Sequence, residues 1–223
     1  MPEEERGTAS PPCFAHEVRE GADGAFHTVD AGQEADVKRW RKAERERLIS
    51  ARMALSQEAR DAGSCAIAET LERLIAPGAG QVISLYWPFR GEPDMRPFMT
   101  RAHEAGATIA LPIVVEKGKP LAFRRWTPGS TMERGVWNIL QPAEDVRVAP
   151  TVTIAPLVGH DAEGYRLGYG GGFFDRTLAS LSPRPRAIGI GLTLTRIATI
   201  YPQVWDVPMD AIVTEEGVTQ RGG

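Results

Sequence analysis

The chain has 223 residues, of which 42% are hydrophobic and 25% are charged, and its formal net charge is −3. These values are typical of a soluble globular protein with one domain, and they give no overall basic signal for a nucleic-acid partner. No apolar run approaches the roughly 20 residues of a membrane helix, and the acidic N-terminus lacks the apolar segment of a secretory signal, so neither a membrane protein nor a secreted one is predicted.

The first 36 residues are predicted to form a weakly structured N-terminal arm, because they are rich in Glu, Gly, Ala and Pro and lack sustained periodicity. Residues 37–223 are predicted to form a single α/β domain. Cys13 and Cys65 are far apart and have no metal-ligand spacing, so we interpret them as free thiols in a reducing compartment. The protein is therefore expected to be cytoplasmic.

Two helices are predicted at the start of the domain. Over residues 34–55, apolar residues recur at steps of three and four, and the other face carries a run of Lys and Arg side chains. Ser56 is predicted to cap a second helix that extends toward residue 75. The basic face of the first helix has two interpretations, a solvated surface with local ion pairs or a surface that contacts phosphate.

The middle of the chain is predicted to alternate strands with a helix. The predicted elements are a strand at 81–87, a helix at 95–105 capped by Asp94, and strands at 107–114 and 121–126 joined by a hairpin turn. The loop after the first of these strands contains Glu92, and α/β sheets carry ligand groups in such loops. Glu92 is thus a candidate binding residue, and a surface charge is the alternative.

The last third continues the alternation, with strands at 152–158, 186–192 and 211–214, a helix at 173–181 and a short helix after the second of these strands. Strands that alternate with helices predict a three-layer α/β/α fold. In such a fold a mainly parallel, Rossmann-like sheet is covered by helices on both faces.

A glycine-rich stretch, GYRLGYGGGFFDR at residues 164–176, joins the strand at 152–158 to the helix that follows. Its glycines permit positive φ and close approach of a ligand, and the helix directs free N–H groups toward the loop. Arg166 is a candidate partner for phosphate, and Asp175 is a carboxylate suited to Mg²⁺. The stretch matches neither a Walker A loop nor a dinucleotide fingerprint. A tight strand-to-helix turn without a ligand is the alternative.

The pattern Gly-x-Arg-Leu-Gly-x-Gly-x-Gly-aromatic-aromatic-Asp in this stretch resembles the signature of the 5-formyltetrahydrofolate cyclo-ligases, also called 5,10-methenyltetrahydrofolate synthetases. Similar segments occur at residues 135–142 and 206–210, and the resemblance covers about residues 41–215. It implies ATP-dependent closure of 5-formyltetrahydrofolate to 5,10-methenyltetrahydrofolate, with release of ADP and phosphate, through a phosphorylated formyl oxygen. It also implies ATP and Mg²⁺ as cofactors and a reduced formyl-folate as substrate, in a monomer or small homo-oligomer.

The resemblance also implies a role for individual residues. Catalytic roles, through neutralisation of phosphate charge, are implied for Arg166 and Arg41. ATP binding is implied for Lys38, Arg41, Arg166, Gly168, Gly170, Gly171, Gly172, Phe173 and Phe174. Folate binding is implied for Trp87, Glu92, Trp137, Tyr169 and Phe173, and Mg²⁺ binding for Asp175 and Asp206. Lys38 is one position beyond the lysine of the family pattern Lys-x-x-Leu-Arg, which Trp40-Arg41 otherwise matches.

Alternatives remain for single residues and for the whole protein. Trp137 is expected either to stack on a flat ring or to belong to the core. His160 occupies an aromatic position of the family pattern, and we interpret it as a packing residue rather than a catalytic one. The protein as a whole is alternatively a paralogue that acts on another formyl-folate or formamide-like substrate, or a non-catalytic nucleotide- or folate-binding regulator.

Overall fold

The computed structural model describes residues 18–21, 24–28 and 31–221. Most of the predicted N-terminal arm lies outside these residues. Its described part contains a short antiparallel hairpin of strands β1 (Val18–Glu20) and β2 (Phe26–Thr28). The first helix, α1 (Ala31–Ala54), begins before residue 37, so it crosses the boundary that we predicted between arm and domain.

Among the remaining elements, the predicted helices and strands occur in the predicted order, together with five short strands that the sequence did not predict. The other helices are α2 (Gln57–Ile75), α3 (Arg96–Glu104) and α4 (Phe173–Ser180). The other strands are β3 (Val82–Ser84), β4 (Thr108–Ile113), β5 (Ala122–Trp126), β6 (Met132–Arg134), β7 (Leu140–Pro142), β8 (Val152–Pro156), β9 (Gly159–His160), β10 (Arg166–Leu167), β11 (Arg186–Ile190), β12 (Ala211–Thr214) and β13 (Gly217–Gln220).

Seven strands form one central sheet in the order β13-β12-β11-β8-β3-β4-β5. The five inner strands are parallel, and the two edge strands, β13 and β5, are antiparallel to their neighbours. The chain runs outward from β3 to β4 on one side and from β8 to β11 and β12 on the other. The boundary between β3 and β8 is therefore a topological switch point, where α/β proteins open a crevice at the carboxyl ends of the strands.

Helices cover both faces of this sheet, which confirms the predicted α/β class. Buried residues of α2 and α3 pack with Ile154 of β8 and Ile188 of β11 in the larger hydrophobic cluster. Ala155 and Ala187, the neighbours of those residues along the same strands, pack with Leu178 of α4 in a second cluster. Because successive side chains of a strand point to opposite faces, the two clusters mark the two sides of the sheet.

The short-range predictions agree with the structure in part. Ser56 caps α2 as predicted, because its Oγ accepts a hydrogen bond of 3.1 Å from the N–H of Ala59. The N-cap position of α3 is Met95 and not Asp94, but Oδ1 of Asp94 accepts a hydrogen bond of 3.0 Å from the N–H of Arg96, the first residue of the helix. The predicted short helix after β11 is only a 3₁₀ turn at Thr193–Thr195. None of the helices in the described part of the chain has both the length and the apolar character needed to cross a membrane.

Candidate functional site

A cavity of about 610 Å³ opens at the carboxyl ends of the inner strands. Residues beyond β3, at the ends of β4 and β8, and in the glycine-rich stretch contribute to its wall, together with side chains from α1 and from the segment after β11. Of the residues that the sequence analysis assigned to ATP, folate or metal, these line it: Arg41, Trp87, Glu92, Trp137, Arg166, Gly168, Tyr169, Gly170, Gly171, Gly172, Phe173, Phe174, Asp175 and Asp206. Lys38 does not.

The glycine-rich stretch differs from a simple strand–loop–helix unit. A two-stranded hairpin of β9 and β10 lies between β8 and the glycines, and Arg166 is the first residue of β10. Gly170 (φ +95°) and Gly172 (φ +61°) have left-handed backbones, which favour glycine, and Gly172 is the N-cap of α4. A side chain at Gly170 would stand 3.3 Å from the guanidinium carbon of Arg45, so the glycine leaves that cation close to the loop backbone.

Arg166 and Asp175 form a buried ion pair at the base of the loop. Nη2 of Arg166 donates to Oδ2 of Asp175 over 2.9 Å, and the guanidinium lies 5.0 Å from the centre of the Phe174 ring. Nε of Arg166 is buried and has no hydrogen-bond partner among the described residues. Oδ1 of Asp175 accepts only a long bond of 3.3 Å, from the N–H of Val207. Nη1 of Arg166 makes no hydrogen bond within the described residues, so this nitrogen and Oδ1 of Asp175 are the atoms of the pair with capacity left for a ligand.

Arg41 and Asp206 form a second buried pair, and its members are more fully occupied. The Arg41 Nη2 atom lies 2.5 Å from Oδ2 of Asp206, and Arg41 also donates to the carbonyl oxygens of Ile200 and Tyr201. Asp206 accepts a further bond from the N–H of Gln203 over 2.6 Å. The pair thus connects α1 with the segment after β11, and most of its polar atoms are satisfied within the protein.

The structure corrects the choice of cation from α1. Lys38 is exposed and lies outside the cavity wall, whereas Arg45, one helical turn beyond Arg41, lines it. Nε of Arg45 donates to the carbonyl oxygen of Gly168 over 2.7 Å, and its two terminal nitrogens make no hydrogen bond within the described part of the chain. Burial, with the nearby charge of Arg41, lowers the pKa of Arg45. An anion beside Arg45 would offset both effects.

In the sequence, Arg45 is one of several basic residues on one face of the first helix, and only its spacing from Arg41 distinguishes it. Arg41 and Arg45 are four residues apart, and residues at that spacing share a face of a helix. Lys38 precedes Arg41 by three residues, a spacing that also permits a shared face, so sequence spacing alone does not choose between them.

Glu92 is the buried carboxylate of the loop after β3. Its side chain is 7% exposed, Oε2 accepts a hydrogen bond of 2.9 Å from the N–H of Phe89, and Oε1 has no partner among the described residues. Burial raises the pKa of Glu92 from 4.5 to about 7, against the lowering effects of the Arg52 charge and of the Phe89 N–H. The alternative of a surface charge is therefore wrong, because Glu92 is buried and forms part of the cavity wall.

Two aromatic residues flank the mouth of the cavity. Trp137 is 61% exposed, so the alternative that placed it in the core is wrong. It has a left-handed backbone (φ +56°), and its ring meets the Phe173 ring edge-on with 5.6 Å between centroids. Both rings line the cavity and are accessible to a flat ligand.

His160 lies away from this cavity. It is buried in β9, opposite Arg166 in the register of the small hairpin, and its Nε2 has no partner among the described residues. Burial lowers the pKa of His160, which favours the neutral ring. It does not line the cavity. Its burial agrees with the interpretation of His160 as a packing residue.

Comparison with known proteins identifies relatives over most of the chain. The model of the 5-formyltetrahydrofolate cyclo-ligase family matches residues 37–215. The 5-formyltetrahydrofolate cyclo-ligase of Escherichia coli (strain K12) is 32% identical over 143 residues, which cover 61% of this chain and 79% of the relative. That of Haemophilus influenzae is 29% identical over 143 residues, covering 61% and 76%.

Solved structures are similar in fold. The 5,10-methenyltetrahydrofolate synthetase of Aquifex aeolicus aligns with a TM-score of 0.70 and 27% identity over 82% of this chain and 94% of that one. The synthetase of Mycoplasma pneumoniae aligns with a TM-score of 0.65 over 78% of this chain and 98% of that one, at 23% identity, a level that supports similarity of fold alone.

Proposed function

Because the chain belongs to the 5-formyltetrahydrofolate cyclo-ligase family, we propose that its cavity binds a reduced formyl-folate beside ATP and closes it to 5,10-methenyltetrahydrofolate. The protein is thus an ATP-dependent ligase, as the sequence predicted. One cavity is lined by two groups of residues, Arg45, Arg166 and the glycine loop on the one hand and Glu92 with exposed aromatic rings on the other. This observation is the main support for the proposed roles of these residues. The first group suits a triphosphate and the second a pterin.

The reaction requires placement and charge neutralisation more than acid–base catalysis. The formyl oxygen attacks the γ-phosphorus, ADP leaves, and an iminium phosphate forms. N10 then attacks the formyl carbon and loses its proton, and the C–O bond breaks with departure of phosphate. Positioning and fixed positive charge are the main contributions that a protein makes to phosphoryl transfer. The described residues that line the cavity include arginines and the glycine loop but no histidine, which fits this chemistry.

Arg45 and Arg166 are proposed as the cations that neutralise the phosphates. The terminal nitrogens of Arg45 and Nη1 of Arg166 make no hydrogen bond within the described residues, so they are donors that an anion could use. The N–H groups that precede and begin α4 add further donors at the helix N-terminus. Arg41 is proposed to act less directly, because Asp206 and two backbone carbonyls already occupy its guanidinium.

Asp175 fits a Mg²⁺ ion better than Asp206 does. Asp175 lines the cavity and keeps an oxygen whose single contact is a long one, whereas both oxygens of Asp206 are bound to Arg41 and one also to a backbone N–H. Mg²⁺ commonly uses one or two carboxylates in addition to substrate phosphates. When bound, it would spread the negative charge of the transferring phosphoryl group. We therefore assign Asp175 as the candidate ligand and Asp206 as the residue that positions Arg41.

A spectrophotometric assay tests the activity. Incubation of the purified protein with ATP, Mg²⁺ and 5-formyltetrahydrofolate is expected to produce the near-ultraviolet band of the methenyl product, together with one phosphate for each product molecule. Omission of ATP is the control. A panel of other formyl-folates separates a paralogue, which would turn over one of them instead. Binding of ATP without phosphate release on any of these substrates would indicate a regulator and contradict the proposal.

Glu92 is proposed to bind the donor N–H groups of the pterin edge through its charged form. Replacement by glutamine is expected to weaken folate binding by about 10- to 100-fold at pH 8, since a hydrogen bond to a charged group is lost. ATP affinity should change less than about twofold. Calorimetry with each ligand measures both. Equal losses for ATP and folate would instead indicate that Glu92 supports the shape of the cavity.

The raised pKa of Glu92 also predicts how the stability of the ligand-free protein depends on pH. Folding raises this pKa from 4.5 to about 7, so the neutral form is favoured in the folded state. The corresponding stabilisation is complete below about pH 4.5 and is lost as the pH rises through about 7, by up to about 3 kcal/mol. The Tm of Glu92→Gln relative to wild type should therefore increase by several degrees between pH 5 and pH 8. A constant difference would contradict the assignment.

A further inference from the structure

Arg52 is an unusual residue of α1, because a charged side chain is among the largest fully buried ones in the described part of the protein. Its exposed fraction is 1%, while its neighbour Met53 is half exposed. The guanidinium donates to the carbonyl oxygens of Arg90 and Leu157, each over 3.0 Å, and to the hydroxyl of Tyr169 over 2.8 Å. Arg52 therefore contacts the loop after β3, the end of β8 and the glycine-rich stretch at once.

The loop that Arg52 contacts has an uncommon backbone. Arg90 and Gly91 have left-handed conformations, with φ of +48° and +71°. A side chain at Gly91 would stand 3.2 Å from Sδ of Met53 and 3.6 Å from Cγ of Arg52, so the loop packs directly on α1. Because a left-handed conformation is unfavourable for a residue other than glycine, the surrounding contacts must maintain it. The hydrogen bond from Arg52 to the Arg90 carbonyl is one such contact.

The three hydrogen-bond acceptors of Arg52 are neutral, and Arg52 belongs to no ion pair in the described part of the chain. The titratable groups around Glu92 are Arg52 from α1, Tyr86 from the end of β3, Tyr169 from the glycine-rich stretch and Asp94 in the same loop. Burial raises the pKa of both tyrosines above its usual range, so both are neutral. Arg52 is thus the group whose positive charge acts on Glu92, and its charge, followed by hydrogen bonding from the Phe89 N–H and the Tyr169 hydroxyl, opposes the effect of burial on the Glu92 pKa.

We propose that Arg52 is a positioning residue for the folate site, which holds the Glu92 loop against Tyr169 and favours the charged form of the Glu92 carboxylate. This inference rests on the proposed function, because it explains how a buried carboxylate is available in ionised form to a pterin. Arg52 itself lies behind the cavity wall and does not line it. Arg52 therefore affects folate binding indirectly, through the position and charge of Glu92 and the position of Tyr169.

The experiment is a titration of the Glu92 carboxyl carbon by ¹³C NMR in the ligand-free protein, with the signal assigned through Glu92→Gln. The wild-type midpoint is expected at about 7. In Arg52→Gln it should rise by about one to three pH units, since a neighbouring positive charge has this effect on a carboxyl group. In Arg52→Lys it should remain within about half a unit. Arg60→Gln, which removes an arginine of α2 that packs on the same loop, is the matched control and should not shift the midpoint.

Calorimetry with 5-formyltetrahydrofolate supplies the second readout. The pH at which folate affinity reaches half its maximum should rise in Arg52→Gln by the same amount as the NMR midpoint, with ATP affinity unchanged. An affinity lowered equally at every pH, or an unmoved NMR midpoint, would overturn the inference. Absence of folate binding to wild type would instead overturn the proposed function, and the NMR titration would still decide the effect of the Arg52 charge.

A double variant covers the case in which Arg52→Gln does not fold. Arg52→Gln removes the positive charge that acts on the buried Glu92 carboxylate, whereas the double replacement removes the carboxylate as well. Arg52→Gln/Glu92→Gln is therefore expected to fold and to have a higher Tm at pH 8 than Arg52→Gln. A double variant as unstable as the single one would show that Arg52 acts only through its hydrogen bonds, and would overturn the inferred action of its charge on Glu92.

Discussion

Replacement of Arg45 by methionine is expected to lower kcat/KM for ATP by about 10²- to 10³-fold, the usual effect of losing one group that stabilises transition-state charge. Methionine retains much of the buried stem but removes the two terminal nitrogens that have no partner among the described residues. Steady-state kinetics with varied ATP and saturating folate measures the effect. The fold should be preserved, because Arg45 makes a single hydrogen bond, to the Gly168 carbonyl.

Two variants on the same helix are matched controls. Lys38 is exposed outside the cavity, and Arg47 is exposed and paired with Glu44, so Lys38→Met and Arg47→Met should leave kcat/KM within about twofold of wild type. The comparison distinguishes a local phosphate contact from the summed positive charge of α1. If Lys38→Met lowered kcat/KM as much as Arg45→Met did, the assignment of Arg45 would be wrong and the cation predicted from the sequence would be restored.

Replacement of Asp175 by asparagine is expected to lower kcat by about 10²- to 10³-fold in the presence of Mg²⁺. Two losses combine here, since asparagine is a poorer Mg²⁺ ligand and pairs less well with the buried Arg166. The fold should be retained, because the amide oxygen can still accept from Arg166 and asparagine has nearly the same shape. Turnover at saturating substrates and a thermal melt test the two parts of this expectation.

Binding measurements separate the metal role of Asp175 from its pairing with Arg166. ATP affinity is measured by calorimetry with Mg²⁺ and again with a chelator. If Asp175 binds the metal, Asp175→Asn should weaken binding mainly in the presence of Mg²⁺. Asp206→Asn is the control, because Asp206 lines the same cavity and pairs with Arg41. This variant should weaken ATP binding by similar factors with Mg²⁺ and with the chelator. Equal weakening in Asp175→Asn would remove Asp175 from the metal site.

Much of the fold was predictable, because its signals are local. The alternation of apolar runs with helical periodicity predicted a mainly parallel α/β sheet, and the cap at Ser56 and the hairpin between β4 and β5 agree with their local sequence patterns. The prediction of the strand before the glycine-rich stretch, at residues 152–158, was less accurate, because the strand ends at Pro156. Residues 157–167 form a turn and the small β9–β10 hairpin, which short apolar runs do not distinguish from a longer strand.

The sequence by itself determined the class of fold and the family, and it predicted Arg166 and Asp175, only nine positions apart in the glycine-rich stretch, as site residues. Tertiary structure alone decided which cation of α1 reaches the cavity, that Asp206 is bound to Arg41 across 165 positions, and that Arg52 is buried against the loop that contains Glu92. The physical reason is that α1 is charged on most of its circumference. Periodicity then does not reveal its inward face, which only packing against the sheet and its loops selects.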